Sequence, residues 1–265
     1  MKKMILLILF APLLCFSQED LKDRFNYQVI YKLSFQLDST NIDSRKSEYM
    51  RLYLGDDYSQ YISRAKTLAN KVVVKGNSGH TAKSALTNFH YQIVKNYKQE
   101  ELYYLLKIPK TIDRFYYPQD SNLFDWSIEN ETKKIKDYQV QKATTSFAGR
   151  DYIAWFTPEI PIADGPYKFN GLPRLILEIH DTKNYWNFEF FGFKKLSPRE
   201  DLEIELNKFK KITQEELEEL WYRYRRDPMG YDPNPNVKMD PEVHQKYIEA
   251  FTDMLKKENN PLELD

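Results

Sequence analysis

The sequence predicts a mainly β protein, built as a curved or partly closed antiparallel sheet with two C-terminal α-helices packed against it. Aromatic residues make up 15% of the 265 residues, with 20 Tyr and 16 Phe, and aromatic side chains favour strands. Short apolar runs also follow one another at regular spacing between turn residues, which is typical of antiparallel sheets. The last part of the chain changes character and shows apolar residues at helical spacing.

The first 17 residues are predicted to be a secretory signal peptide. Two lysines precede an apolar run from Met4 to Phe16, and the small residue Ser17 precedes a polar start. The run is too short to span a bilayer. We therefore expect cleavage after Ser17 and one exported domain over 18–265, in the periplasm or associated with the outer membrane, with no transmembrane segment.

Cys15, the only cysteine, lies inside this predicted leader. In one interpretation Cys15 is only part of the apolar region of the leader and is removed with it. In the other it is the cysteine that carries the lipid in a lipoprotein. The first is favoured because Leu14 stands where lipoproteins need a small residue. The exported chain then has no disulfide and no thiolate ligand.

The charge balance argues against nucleic acid as a partner. Lys and Arg number 39, Asp and Glu also number 39, and the formal net charge is zero. Nucleic-acid-binding proteins present a basic face, and nothing in this composition indicates one.

The strands can be placed from the apolar pattern. Apolar residues alternate with mostly polar ones from Tyr27 to Leu37, which is the period of a half-buried antiparallel strand. The segment 64–75 is predicted to be a short helix or strand, and 76–79 a loop. Further strands are predicted at 48–63 with a break near 55–57, 88–98, 101–108, 112–117, 122–128, 134–147, 150–157, 173–182 and 185–195.

Two helices are predicted after the strands. Thr213 and Glu216 have the spacing of a capping box, and an apolar stripe at helical spacing follows. Asp240 is a suitable N-cap and Pro241 occupies the first helical position of the second helix. A connector rich in Pro and Asn, residues 227–236, separates the two helices.

The loop between the strands at 150–157 and 173–182 is the richest segment of the sequence. Pro158, Pro161, Pro166 and Pro173 fix backbone torsions there, while Gly165 and Gly171 permit unusual ones. An ordered loop of this kind suits recognition, because little entropy is lost on binding. The alternative is a rigid crossover that only connects two core strands.

No catalytic or metal motif stands out, so the sequence leaves the question of an enzyme open and favours a non-enzyme without a cofactor. Glu178 and His180 lie on one side of a predicted strand, and with Asp181 they offer at most a sparse metal site. The alternatives to a binding protein are a carboxylate- or metal-dependent hydrolase and a purely structural protein.

The region from Trp155 to Asp181 resembles the GLPGLI family of exported Bacteroidetes proteins. Supporting matches include Trp155, Phe156 and the glycine–proline pair at 165–166, and the resemblance extends over the mature chain. One departure is Arg174, which replaces the second glycine of the family motif. The motif residues here are Gly171, Leu172, Pro173, Arg174, Leu175 and Ile176.

The resemblance implies an exported, strand-rich protein associated with outer-membrane TonB-dependent receptor systems. We expect a binding or accessory protein that contacts an outer-membrane receptor, another envelope protein, a peptide or a lipid. Aromatic burial would supply the affinity and rim charges the orientation. The candidate contact residues are Arg150, Trp155, Asp164, Gly165, Pro166, Gly171, Leu172, Pro173 and Arg174.

Overall fold

The computed structural model describes residues 20–71, 86–233 and 239–264. The predicted leader and the predicted loop at 76–79 lie outside the described residues, as does part of the predicted connector at 227–236. Within the described residues, twelve strands form one open sheet. No helix in this part of the chain is both long and apolar enough to cross a bilayer.

The sheet is accompanied by four α-helices among the described residues. The helices are α1 Arg64–Lys71, α2 Gln214–Arg226, α3 Pro228–Tyr231 and α4 Pro241–Lys257. The strands are β1 Leu21–Gln36, β2 Arg45–Leu54, β3 Tyr58–Ser63, β4 Tyr91–Asn96, β5 Glu101–Lys107, β6 Arg114–Asp120, β7 Ser127–Ile135, β8 Tyr138–Phe147, β9 Arg150–Phe156, β10 Ile176–Asp181, β11 Trp186–Ile204 and β12 Lys210–Lys211.

The strand order is β12-β6-β5-β4-β3-β2-β1-β11-β10-β9-β8-β7. Two antiparallel meanders, β1 to β6 and β7 to β11, are therefore joined where β1 pairs with β11. Only β12 pairs parallel with its neighbour β6 among the described strands. The antiparallel prediction is confirmed for the other pairs, whereas the predicted partial closure is wrong because β7 and β12 end an open sheet.

β1 forms the centre of the sheet, because it has β2 on one side and β11 on the other. Its odd-numbered residues Val29, Tyr31, Leu33 and Phe35 are fully buried, as the alternating sequence predicts. The Tyr31 hydroxyl donates a hydrogen bond of 2.6 Å to the carbonyl of Ile176, which connects β1 with the start of β10.

Apolar side chains cover both faces of the sheet. In β5, Leu102 and Leu106 lie on one face, while Tyr103 and Leu105 belong to a separate apolar cluster on the other. The larger cluster includes side chains from the 157–175 loop and Leu262, so these segments cover the first face. Burial of both faces explains the many fully apolar stretches in the sequence.

Both predicted helix starts are present. Thr213 and Glu216 form the complete capping box of α2, and Asp240 caps α4 through the backbone N–H groups of Glu242 and Val243. α2 packs on β6 through Leu217. α4 packs against α2 and buries no residue of its own.

Several strand boundaries differ from the predicted ones. The predicted strand at 134–147 is divided by the turn between β7 and β8, where Lys136 has positive φ, and most of β7 was not predicted. The strand predicted at 122–128 is wrong for residues 122–126, which precede β7. There Phe124 packs on Phe169 with a centroid distance of 5.2 Å, and Trp126 donates a hydrogen bond to the 157–175 loop. β11 continues well past residue 195, because its last residues pair with the start of β1. Ile204 lies opposite Leu21 at the end of that pairing.

Candidate functional site

The loop 157–175 folds back over the first face of the sheet instead of projecting from it. Its ends are closed by a 3.0 Å hydrogen bond from the Thr157 N–H to the Leu175 carbonyl. Phe169, in its middle, is fully buried and packs against Tyr152 with a centroid distance of 4.9 Å. Most of the loop is therefore part of the hydrophobic core.

A buried ion pair anchors the first half of the loop. The Lys95 ammonium on β4 lies 2.5 Å from Asp164 Oδ1 and donates to the carbonyls of Gly165 and Phe169 at 2.8 Å. The Tyr97 hydroxyl donates to Asp164 Oδ2 at 2.7 Å. Burial lowers the pKa of Lys95, while the Asp164 carboxylate acts in the opposite direction. These contacts satisfy the buried charges, so the anchor is structural.

A second buried lysine anchors the middle of the loop. The Lys168 ammonium lies 2.7 Å from Glu263 Oε1 and 3.2 Å from the Tyr117 hydroxyl. The rings of Tyr104, Tyr117 and Tyr167 surround it at 5.5–5.8 Å. Burial lowers the pKa of Lys168, and Glu263 counteracts that shift. The ammonium thus has both a counter-ion and aromatic faces around it.

The loop reaches solvent in its first part, at Pro158, Glu159, Pro161 and Ala163, and again near its second end. Gly171 and Pro173 are exposed there together with Arg174, while Leu172 between them is buried. We call residues 171–174 the loop tip. Leu172 therefore fixes the tip from below, and the exposed residues are presented on a rigid support.

Hydrogen bonds from Trp126 and Asn170 hold the base of the tip. Trp126 Nε1 donates to the Asn170 carbonyl at 2.8 Å, and the Asn170 amide donates to the Ser121 carbonyl at 3.1 Å. Gly171 has a φ of +86°, which side chains other than glycine rarely adopt. Arg174 does not have positive φ, so an arginine at the position where the GLPGLI motif has its second glycine needs no strained backbone.

Other predicted contact residues are buried and engaged within the chain. Asp164, Gly165 and Pro166 are buried in the anchored part of the loop. Trp155 is 6% exposed, and the Lys133 ammonium lies 4.2 Å from its ring centroid. The structure therefore keeps these residues away from solvent, and of the predicted contact residues it exposes only Gly171, Pro173 and Arg174.

Arg150 holds another part of the same chain. Its guanidinium donates to Asn260 Oδ1 at 2.6 Å and to the Leu262 carbonyl at 3.1 Å. It also lies 3.7 Å from the carboxylate of Asp181. Arg150 thus fixes residues 259–264, which we call the 259–264 segment, on the first face of the sheet.

The residues considered for a metal site have other partners. Glu178 accepts from the Lys133 ammonium at 3.2 Å, and Asp181 Oδ1 accepts from the Trp186 N–H at 2.6 Å. No group of three or more His, Cys, Asp or Glu side chains is arranged to hold a metal ion within the described residues.

Sequence reasoning missed the two anchoring lysines. Lys95 follows Tyr91 and Ile93 at alternating positions of one strand, so its inward direction was readable from the period of two. Lys168 lies in an irregular loop where no period applies. Its partner Glu263 is far away in sequence, and no local pattern indicates the pair.

Residues 148–178, which comprise β9, the loop and the first part of β10, match a family described as "Protein of unknown function (Porph_ging)". No curated protein matches the chain. The fold resembles that of PNGF-II, with a TM-score of 0.53 and 16% identity over 76% of this chain and 34% of that one. A second crystal form of PNGF-II aligns over 86% of this chain and 33% of that one, with 16% identity and a TM-score of 0.47. The chain thus spans about a third of the PNGF-II chains, and the likeness at TM-score 0.53 shows a shared fold.

Proposed function

We propose that this protein is an exported binding module of the bacterial cell envelope, and that the loop tip is its contact with a partner protein. The observation that carries the proposal is the contrast within one loop. Residues 164–169 are buried and bonded, whereas Gly171, Pro173 and Arg174 face solvent. A purely structural crossover would gain nothing from holding a short exposed tip so firmly.

The chemistry of the tip fits a protein partner. Arginine is enriched at interface hot spots, because its planar guanidinium can form two parallel hydrogen bonds with one carboxylate and can also stack on aromatic rings. Pro173 restricts the backbone next to Arg174, and the hydrogen bonds of Trp126 and Asn170 hold the base of the tip, so little backbone entropy is lost on binding. We infer a partner surface that offers a carboxylate to Arg174 and an apolar rim to Pro173.

Export and family are supported by the sequence. The predicted leader at 1–17 supports delivery to the periplasm or the outer membrane. The family match at 148–178 includes the whole tip and is consistent with the GLPGLI resemblance. We propose that the partner is an envelope protein, with a TonB-dependent receptor as the first candidate.

The test compares partner capture by the tip variant Arg174→Ala with capture by the control variant Arg199→Ala. Both arginines have exposed side chains, but Arg199 on β11 pairs with Asp56 away from the loop. Each full chain is cross-linked in native envelopes, purified and analysed by mass spectrometry. We expect the partner to be lost with Arg174→Ala and kept with Arg199→Ala.

Thermal unfolding of the same samples shows whether the variants are folded. An Arg174→Ala chain that is folded and captures the same proteins as the wild type would exclude the tip as the contact.

A further inference from the structure

The 259–264 segment belongs to no helix or strand among the described residues, yet the sheet holds it by its backbone and its side chains. The Asn260 N–H donates to the Leu37 carbonyl at 3.0 Å, and its side-chain amide donates to the Gln36 carbonyl at 2.6 Å. Trp186 Nε1 donates to the Asn260 carbonyl at 3.2 Å. Because Asn260 Oδ1 also accepts from Arg150, both ends of this amide are recognised.

The next residues are recognised as closely. The Leu262 side chain is buried in the main core, and its carbonyl accepts from Arg150 and from the Tyr152 hydroxyl. The Glu263 carboxylate accepts from the Tyr167 hydroxyl at 2.5 Å and pairs with Lys168. The face of the sheet is therefore a groove for an extended peptide with asparagine, an apolar residue and a carboxylate at these positions.

The helix that precedes this segment is attached much less firmly. α4 buries no residue, and two partly exposed pairs link it to the preceding helices: Arg225 with Glu258 at 2.7 Å, and Asp227 with His244 at 2.9 Å. Part of its apolar surface is exposed, with exposed fractions of 45% for Val243, 46% for Tyr247 and 42% for Met254, while Ile248, Phe251 and Leu255 are partly buried. Such a surface is normally covered.

We propose that residues 239–264 form an exchangeable arm, and that the groove binds the 259–264 segment of a second copy of this chain. Each groove contact in one copy is available to the same segment of another copy, so exchange conserves those contacts. Two exchanged arms also bring the exposed apolar residues of two α4 helices together. Covering that apolar area adds a stabilisation that the single chain lacks.

A second copy fits the groove better than a free peptide does. The chain's own segment is tethered beside the groove, at an effective concentration on the order of millimolar for a short tether. A free peptide and the segment of a second copy both have to compete with this segment, but a free peptide leaves it without a partner. Exchange between two copies fills both grooves. This proposal does not depend on the function proposed for the loop tip.

The experiment traps the exchange with cysteines on two different chains. Ser39 contacts the segment, since its N–H and its hydroxyl both donate to Asn259 Oδ1 at 2.9 Å. Full chains carrying Cys15→Ser and either Ser39→Cys or Asn259→Cys, with tags of different mass, are mixed and oxidised. A chain with Ser127→Cys on the exposed edge of β7 replaces Ser39→Cys as the collision control.

We expect about ten-fold more mixed disulfide between the Ser39→Cys and Asn259→Cys chains than in the control mixture, because the segment is bound beside residue 39. The yield should fall on dilution. Tyr247→Lys, which leaves the groove intact, should lower it.

Two results would overturn the proposal. One is a mixed disulfide yield equal to that of the control, together with single-chain mass in light scattering at every concentration. The other is saturable binding of a synthetic peptide of residues 258–264 to the wild-type chain with no exchange between copies, which would make a free peptide the occupant.

Discussion

The Lys95 ammonium and the Asp164 carboxylate lie 2.5 Å apart, with exposed fractions of only 3% and 0% for the two side chains. We expect Lys95→Met to lower the free energy of unfolding by about 3–5 kcal/mol, because it leaves the Asp164 charge buried without its counter-ion. Urea unfolding at neutral pH measures this change.

Lys98 on the same hairpin provides the matched control. It pairs with Asp57 at 2.6 Å, but its side chain is 71% exposed. Lys98→Met should therefore change the free energy of unfolding far less than Lys95→Met does, because solvent screens an exposed pair. Equal losses for Lys95→Met and Lys98→Met would contradict the anchoring role of Lys95.

Arg150 should control whether the 259–264 segment stays on the sheet. Arg150→Lys keeps the charge but removes the planar group that donates to Asn260 and Leu262. We expect faster amide hydrogen exchange at Asn260 and Leu264, whose N–H groups bond the carbonyls of Leu37 and Ala148, and a loss of about 2–4 kcal/mol in unfolding free energy, since several buried acceptors lose their donor.

Arg24→Lys is the control for that change, because Arg24 forms an exposed pair with Asp201. It should leave both measurements nearly unchanged. Unaltered exchange at Asn260 and Leu264 in Arg150→Lys would mean that the segment is held without Arg150.

Loss of the hydroxyl should affect stability differently at two fully buried tyrosines of the core. The Tyr31 hydroxyl bonds the Ile176 carbonyl, whereas the Tyr61 hydroxyl has no hydrogen-bond partner in the described part of the chain. Tyr31→Phe should destabilise by about 0.5–1.5 kcal/mol, because it removes a buried hydrogen bond. Tyr61→Phe should be neutral or stabilising, because it removes an unsatisfied group.

Chemical unfolding of the two variants measures the difference. A clear loss of stability in Tyr61→Phe would show that its hydroxyl has a bonded partner, such as a buried water.

His90 should make stability depend on pH in the acid range. Burial lowers the pKa of His90 to about 4, and the charges of Lys66 and Arg225 add to this effect. The unfolded chain binds a proton near pH 6.5, so between about 6.5 and about 4 it holds more protons than the folded chain. The stability that neutral His90 contributes above that window is therefore lost as the pH falls through it.

His90→Asn cannot titrate, so its unfolding free energy should fall less than that of the wild type across the same window. The other three histidines, His80, His180 and His244, are present in both proteins, and their contribution cancels in the comparison. Parallel pH profiles for the two chains would refute the assignment to His90.

Local patterns in the sequence predicted local structure well. The alternation after Tyr27 predicted β1, the turn residues at 55–57 predicted the break between β2 and β3, and Thr213 with Glu216 predicted the start of α2. Each of these signals depends only on neighbouring residues. The open order of the sheet depends on pairing between distant segments, for which the sequence contains no local signal.

The candidate site was predictable only in part. Its position near a rigid loop followed from prolines and glycines, but Arg150 and Trp155 were grouped because they are close in sequence. They are five residues apart on one strand, so they point to opposite faces of the sheet. The partners that engage them, Asn260 and Lys133, come from other elements of the fold.

The seam between β1 and β11 has a consequence for the order of events in folding. Each meander pairs strands that are neighbours along the chain, whereas the seam joins Leu21 with Ile204 and cannot close before that late segment arrives. Until then one side of β1 presents unpaired backbone groups, which can template the addition of strands from other molecules. Nascent or truncated chains that lack β11 are thus the species most exposed to aggregation.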